Sequence, residues 1–541
     1  MKDISSTGSF INFYLNNYIY VDKTKYIRDL IKLEKVFISR PRRFGKSLTL
    51  DTIATLFESG VEPYFKGTWI YDKWTEPTYP VLRLNFLDLD KYSLEHFKQK
   101  LNAIISSFAR DINVKNYEEK VEPEDTIYFL LDELRKEKRQ IVILIDEYDC
   151  QMTANINNET LYKQFQEKIK SFYANIKDKF AIKFLGITGV TRLKDVSIFS
   201  VGSDINDITN ASAYSQMIGF TRDEIKKYYI DYLKLASSYE NNCSVDDVTD
   251  TQLESMLDMM AQNYDGYCFD EDYEKKVFST WSVNKFFQTM IEKKKVQFGE
   301  YWYDNGGLPS ILVNYLKTHE LNIFEYLDKD KFLKVSSDDF KNPTALTTIN
   351  QNVLMCQTGY LTLRSDLNKT STVALGIPNG EIYKALNRLL ANNIFKGNTD
   401  ITDDYGRSLL EVGTVDDIIN LFNSALNSVS YDNYPIVSES SVQNMLKLYL
   451  LGAHQEVLSE VHEAKGRADL VVNTDNRRIV FEFKYAKNEA EAKSKLSEAV
   501  EQIKTRDYGN ILPKKNELIR IAAVFNADPK VRAFTENQIV P

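Results

Sequence analysis

The chain has 541 residues, 43% hydrophobic and 27% charged, with 21 Gly and 12 Pro. This is ordinary globular composition, long enough for three or four domains at roughly 150 residues each, and it excludes collagen-like and low-complexity chains. A formal net charge of −9 excludes a polybasic protein but leaves room for a local basic groove.

The four cysteines form no CxxC and the chain has 4 His, which argues against a disulfide framework, a zinc knuckle or a His-rich metal centre. Met1 to Phe10 is polar and lacks the apolar core of a signal peptide. No run of about 18 apolar residues occurs, so no membrane partner and a cytoplasmic location are expected.

From Val36 to Val190, short apolar runs alternate with helical patterns. The runs are Val36–Ile38, Val81–Phe86, Ile141–Ile145 and Ala181–Ile187, and the helical patterns fall near 47–58, 93–110, 123–137 and 159–177. Continuous aliphatic strands alternating with helices predict a parallel sheet covered on both faces. Between the first strand and helix stands Ile38-Ser39-Arg40-Pro41-Arg42-Arg43-Phe44-Gly45-Lys46-Ser47. Gly45 lets backbone approach a phosphate, Lys46 reaches the β/γ oxygens, Ser47 is a Mg²⁺ ligand type, and the helix N-terminus adds its positive dipole. A surface turn is the alternative, and Arg40 stands where the usual motif has its first Gly.

Ile141–Ile145 delivers Asp146 and Glu147 to a strand's C-terminal edge. Asp146 suits a Mg²⁺ site and Glu147 suits polarisation of a water. An acidic loop after a core strand is the competing explanation, but its position about 100 residues after Gly-Lys-Ser favours a paired site. A further strand ends in Thr188, placed to sense a γ-phosphate, and is followed by Arg192, placed for nucleotide or a neighbouring subunit. Thr221 and Glu224 form a capping-box pattern, so a helix should begin there.

The reading predicts an ATPase core over 1–220, a helical lid over 221–300 and a mainly helical middle region over 301–430. That middle region contains the loop Asn305-Gly306-Gly307-Leu308-Pro309. A last unit over 431–541 reads α-β-β-α-β, with helices near 439–451 and 489–505 and strands at 468–473, 478–485 and 518–525. In Ile479-Val480-Phe481-Glu482-Phe483-Lys484, alternation puts Glu482 and Lys484 on one face and Phe481 and Phe483 on the other. The turn 474–477 brings Asp469 beside Glu482. Two carboxylates at a sheet edge suit a hard divalent ion, and an adjacent ammonium suits a developing phosphorane charge. An amphipathic hairpin with a Lys–Glu pair on its wet face is the structural alternative.

These residues carry two resemblances. Tyr20-Val21-Asp22-Lys23-Thr24, Arg40-Pro41-Arg42-Arg43-Phe44-Gly45-Lys46-Ser47-Leu48, Ile145-Asp146-Glu147-Tyr148-Asp149, Thr188-Gly189-Val190-Thr191-Arg192 and Tyr264-Asp265-Gly266-Tyr267 resemble the bacterial AAA-ATPase-like family over about 5–290. The resemblance makes Arg40 a family feature and implies a P-loop αβα fold with a helical lid. Arg40 to Leu48, Asp146, Thr188 and Arg192 would then serve ATP and Mg²⁺. At Ser279-Thr280-Trp281-Ser282 the chain departs from that family's Asn-Pro, a change expected to affect a loop and not the nucleotide site.

Residues 431–541 resemble the PD-(D/E)xK nuclease superfamily, an α/β restriction-endonuclease-like fold. Asp469, Glu482 and Lys484 map onto its metal and catalytic positions, Gln502 onto its frequent fourth position and Tyr508 onto the aromatic that follows. Glu439 matches its early acidic residue weakly. The combined expectation is an ATP-binding and hydrolysing protein coupled to a Mg²⁺-dependent nuclease. Nucleic acid, DNA first, is the expected partner, and a homo-oligomer is compatible. The alternative is a nucleotide-dependent switch whose nuclease-like domain is inactive and only binds nucleic acid or a protein.

Overall fold

A computed structural model describes residues 1–176, 180–193, 204–302, 310–316, 319, 323–343, 345–395, 405–453, 455–463, 466–510 and 514–541. The loop expected at 305–309 lies outside them. The chain divides into two compact units: Met1–Leu321 with Asp330–Ile382, and Asn322–Lys329 with Tyr383–Pro541.

In the first unit, strands β1 (Lys35–Ser39), β2 (Val81–Asn85), β3 (Ile141–Asp146), β4 (Ile182–Gly189) and β5 (Asn206–Asp207) form one sheet. Its order is β2-β3-β4-β1-β5, and every pairing is parallel. The aliphatic runs explain this arrangement: Ile141 to Ile145 are all buried, as a parallel strand covered on both faces requires. Helix Lys46–Ser59 packs on β2, β3 and β4, while helices Leu94–Asp111, Pro123–Lys136 and Glu159–Ile176 pack on one another. The register pairs Ile38 with Thr188 and Asn85 with Asp146. The carboxyl ends of β1, β3 and β4 therefore emerge at one edge, where α/β sheets bind ligands.

Thr221 closes the predicted capping box with Glu224 and starts the helix Arg222–Tyr228. Helices Ile230–Asn241, Asp250–Tyr264 and Thr280–Lys293 follow. Ile225, Tyr229, Leu233, Met256, Met260 and Phe287 belong to the separate apolar core of this helical part. The stretch expected to be mainly helical also carries β6 (Leu333–Ser336), β7 (Thr362–Leu363) and β8 (Thr372–Gly376), a small antiparallel sheet ordered β6-β8-β7.

The second unit holds β9 (Glu456–Glu463), β10 (Gly466–Asn473), β11 (Arg477–Ala486), β12 (Glu517–Asn526) and β13 (Ala533–Ile539), ordered β13-β12-β11-β10-β9. The sequence pattern marks β10, β11 and β12 but not β9 and β13. The two missed strands are the edges of the sheet. Their sequences, EVLSEVHE and AFTENQI, are polar enough to hide the apolar alternation of a buried strand.

Candidate functional sites

The phosphate loop is shaped by backbone that few residues adopt. Gly45 precedes the helix Lys46–Ser59 at φ 104°, and Arg43 also has positive φ, 68°. No described residue stands within 4 Å of where a Gly45 Cβ would project, so glycine is needed there for its backbone angle. The Lys46 ammonium is buried and turned back onto the loop, donating to the Arg40 and Pro41 carbonyls at 3.1 and 3.2 Å. It lies 3.8 Å from Glu147.

The acidic pair stands opposite this loop. Asp146 accepts from the Ser47 hydroxyl at 2.6 Å through one oxygen and from the Thr188 hydroxyl through the other. Glu147 has φ 52°, and burial pushes its carboxyl above the usual range against the pull of Lys46. Asp149 is buried and accepts from the Thr191 amide at 2.6 Å and from the Thr191 hydroxyl, which ties the end of β4 to β3. Its role left no periodic signal in the sequence.

Two other expected nucleotide residues point elsewhere. The Arg40 guanidinium is buried, donates to the Ser39 and Thr209 carbonyls, and stacks 4.2 Å from the Phe269 ring. Burial pulls its pKa down to about 9. Arg192 donates to the Asp207 carboxylate and to the Lys341 carbonyl at 2.6 Å. With Pro41, these two arginines line a small separate cavity. Phe44 is buried, packed edge-on against Tyr267 and Phe269.

Arg42 to Leu48 line a cavity of about 470 Å³ that continues toward Tyr20, Val21, Met217 and Phe220. Trp281 and Thr280 also line it. The Thr280 hydroxyl donates to the Arg43 carbonyl at 3.0 Å, and the Trp281 ring lies 3.9 Å from the Arg43 guanidinium. The family departure at 279–282 therefore touches the phosphate loop directly, correcting the expectation that it affects only a loop. Sequence distance hid this, because about 240 residues separate the partners. The loop conformation, the poised ammonium and the hydroxyl–carboxylate–hydroxyl group fit a Mg²⁺ nucleotide.

The second site is assembled by strand register. Leu470 pairs with Phe481, so the next residues outward are Asp469 and Glu482. Asp469 accepts the Phe483 amide at 2.8 Å. Lys484 donates to Glu482 at 2.8 Å and to Glu439 at 3.3 Å. Phe481 and Phe483 stack on the other face and meet Phe422 and Phe534, as alternation predicts. The Glu482 face is not wet, however. Helix Glu489–Arg506 covers it through Val480, Ala499 and Ile503, leaving Glu482 at 0% and Lys484 at 5% exposure.

One Glu482 oxygen, Oε2, has no hydrogen-bond partner among the described residues. Burial first, then the Asp469 charge, pushes its carboxyl up to about 7, and burial also raises Asp469. Burial pulls the Lys484 ammonium down, but Glu482, Glu439 and Asp469 raise it by more. Glu439, Asp469 and Glu482 each offer an oxygen within 4.8 Å of the others. Three convergent carboxylates with an orphaned buried oxygen fit a divalent cation. The Gln502 amide lies 3.4 Å from the Tyr508 hydroxyl.

Fold and sites together define a P-loop domain of ATPase type joined to an α/β domain of nuclease type. Residues 5–199 match the family described as predicted AAA-ATPase, and residues 437–535 match the PD-(D/E)XK nuclease superfamily; the chain carries both domains. Over 532 residues it is 26% identical to an uncharacterized protein in the vnfD 5′ region of Azotobacter chroococcum mcd 1, covering 95% of this chain and 94% of the relative. Among solved structures it is similar to Cdc6p from Pyrobaculum aerophilum, with TM-score 0.28, 11% identity, and coverage of 72% of this chain and 99% of that one. It is also similar to ORC2 from Aeropyrum pernix, with TM-score 0.28, 10% identity, and coverage of 68% and 91%. The ATPase fold rests on the strand order and loop geometry. Among the described residues, no helix is long and apolar enough to cross a membrane.

Proposed function

We propose that this chain binds and hydrolyses ATP and cleaves nucleic acid, DNA first, with a divalent metal. The observation that carries the cleavage reading is the convergence of Glu439 and Asp469 on the buried Glu482 beside the buried Lys484. Isolated buried charges cost several kcal/mol each, so a sheet face meant only for packing would not collect them. A hydrated hairpin face, the structural alternative, would leave Glu482 and Lys484 exposed, and both are buried.

In the first site, Lys46 would exchange its carbonyl partners for phosphate oxygens, and Ser47 with Asp146 would hold Mg²⁺. Glu147 is placed to accept a proton from water, and Thr188 orients Asp146. In the second site, Asp469, Glu482 and Glu439 would hold the metal, which supplies Lewis acidity and a more acidic water. Lys484 donates to the developing charge on the phosphorus oxygens. The fusion of the two domains supports nucleotide control of cleavage.

The test is a cleavage assay on single- and double-stranded DNA and RNA with Mg²⁺ or Mn²⁺, run without nucleotide, with ATP and with a non-hydrolysable analogue. Metal-dependent cleavage that responds to nucleotide supports the reading. ATP hydrolysis with no cleavage under any condition overturns the nuclease half and leaves a nucleotide switch.

A further inference from the structure

The second site has a charge problem that its three acids and one lysine do not solve. Glu439, Asp469 and Glu482 against Lys484 and one divalent cation come to neutrality. A phosphodiester then enters with its own negative charge, which grows in the transition state. Arg467, two residues from Asp469 on β10, bears on that carboxylate from an exposed position, and a further cation on the face where Glu482 lies would offset the added charge. Helix Glu489–Arg506 covers that face, and its last residue is Arg506.

Two features place this side chain. A Cβ on Gly466 would stand 2.5 Å from Arg506 Cδ, so the arginine stem crosses the bare backbone at the start of β10, the strand that carries Asp469. The guanidinium donates to the Tyr508 hydroxyl at 2.8 Å, and Gln502 approaches the same hydroxyl. Arg506 is therefore held at both stem and head while remaining partly open to solvent.

We propose that Arg506 is the phosphate-binding side chain of the second site, seating a nucleic-acid phosphodiester beside the metal-binding carboxylates. The claim rests on the nuclease reading and assigns that site its anion-binding group. Its guanidinium pKa is raised, first by the Tyr508 hydroxyl and further by the Glu482 and Asp469 charges, in keeping with a cation beside these acids. Gly466 serves as the gap through which the stem passes, and Tyr508 with Gln502 sets the angle of the fork. A planar fork suits bidentate binding of phosphate, so lysine is a poor substitute.

The test uses the full chain with Arg506→Ala, Arg506→Lys and, as a control on the same helix, Lys493→Ala. Binding of a labelled DNA duplex and single strand is read by anisotropy with Ca²⁺, cleavage with Mg²⁺, and Mn²⁺ binding by calorimetry. Arg506→Ala is expected to weaken Ca²⁺-dependent DNA binding about tenfold and lower kcat/KM by about 10²-fold, with Arg506→Lys recovering a minor part. Mn²⁺ should bind as tightly or tighter, because a positive charge has left the carboxylates; a merely disrupted fold would weaken both. Wild-type DNA binding and cleavage in Arg506→Ala, or equal losses in Lys493→Ala, overturns the proposal. If the wild type binds Mn²⁺ yet cleaves nothing, the nuclease reading falls by itself, and the Ca²⁺-dependent binding still decides Arg506.

Discussion

Each of the two sites sets a buried lysine beside carboxylates, yet they are built by different means. At the phosphate loop, Lys46 spends its donors on backbone carbonyls and stands 3.8 Å from Glu147. At the hairpin, Lys484 is bonded directly to Glu482 at 2.8 Å. The first site is an open cradle whose shape comes from the backbone angles of Arg43 and Gly45, and its lysine meets Glu147 only at the longer distance. The second is a compact knot of charge whose members come from two strands and a helix. Removing a charge should therefore disable ligand binding at the first site, whereas at the second it should also damage the fold.

The largest effect is expected at the knot. Lys484→Ala leaves Glu482 buried without its cation, so unfolding free energy in denaturant should drop by roughly 3–5 kcal/mol. Cleavage should fall by about 10²–10³-fold for loss of a charge-stabilising donor. Mn²⁺ should return part of the stability by replacing the lost positive charge, and a chemical-denaturation series with and without metal reads it. A Lys484→Ala chain as stable as wild type would show that the two sites are built alike.

Lys46→Ala tests the open cradle. Charge-assisted hydrogen bonds contribute about 1.5–3 kcal/mol, so ATP affinity measured by calorimetry should fall by roughly 10- to 150-fold. Stability without nucleotide should change far less than for Lys484→Ala, because Lys46 leaves two uncharged carbonyls behind, whereas Lys484 leaves a directly bonded, buried carboxylate. Mn²⁺ binding at the second site should be unchanged.

This difference in construction also governs how much could be read from sequence. The phosphate loop is contiguous, so Gly45, Lys46 and Ser47 announce themselves, and β3 leads straight to Asp146. The hairpin alternation marks Glu482 and Lys484 because the strand period is two. Contacts made across sequence distance leave no such mark: Trp281 on Arg43, Asp149 on Thr191, and the approach of Glu439 to the carboxylate cluster. Burial is hidden in the same way. The pattern showed that Glu482 and Lys484 share a face, but it could not show that Ala499 and Ile503 would cover it.

The pH response of the two sites should separate them further. Glu482 rises from 4.5 to about 7 in the fold, so the folded chain holds a proton that the unfolded chain has released between those values. Without metal, stability should therefore fall as pH rises through that window and level off above it. Metal must displace the proton, so Mn²⁺ affinity should climb about tenfold per pH unit up to about pH 7 and flatten beyond. Calorimetric titrations across the window measure the slope. In Glu482→Gln the slope should disappear together with most of the affinity.

The smallest effect tests whether the cradle is as local as its motif suggests. Trp281, on a helix far along the chain, lies under the Arg43 guanidinium at 3.9 Å, and its neighbour Thr280 holds the Arg43 carbonyl at 3.0 Å. Arg43 has positive φ, a conformation that a non-glycine residue keeps only when its surroundings enforce it. Trp281→Ala removes a cation–π contact of about 0.5–1 kcal/mol, so nucleotide affinity should fall by about two- to fivefold. ATP and ADP should lose affinity equally, because the change acts on loop order and not on the γ-phosphate. Arg43→Ala should cost a similar amount, and the double variant should cost less than the two losses combined, since one contact cannot be removed twice. Full additivity would mean that Trp281 acts only as a cavity wall and that the motif shapes its loop unaided.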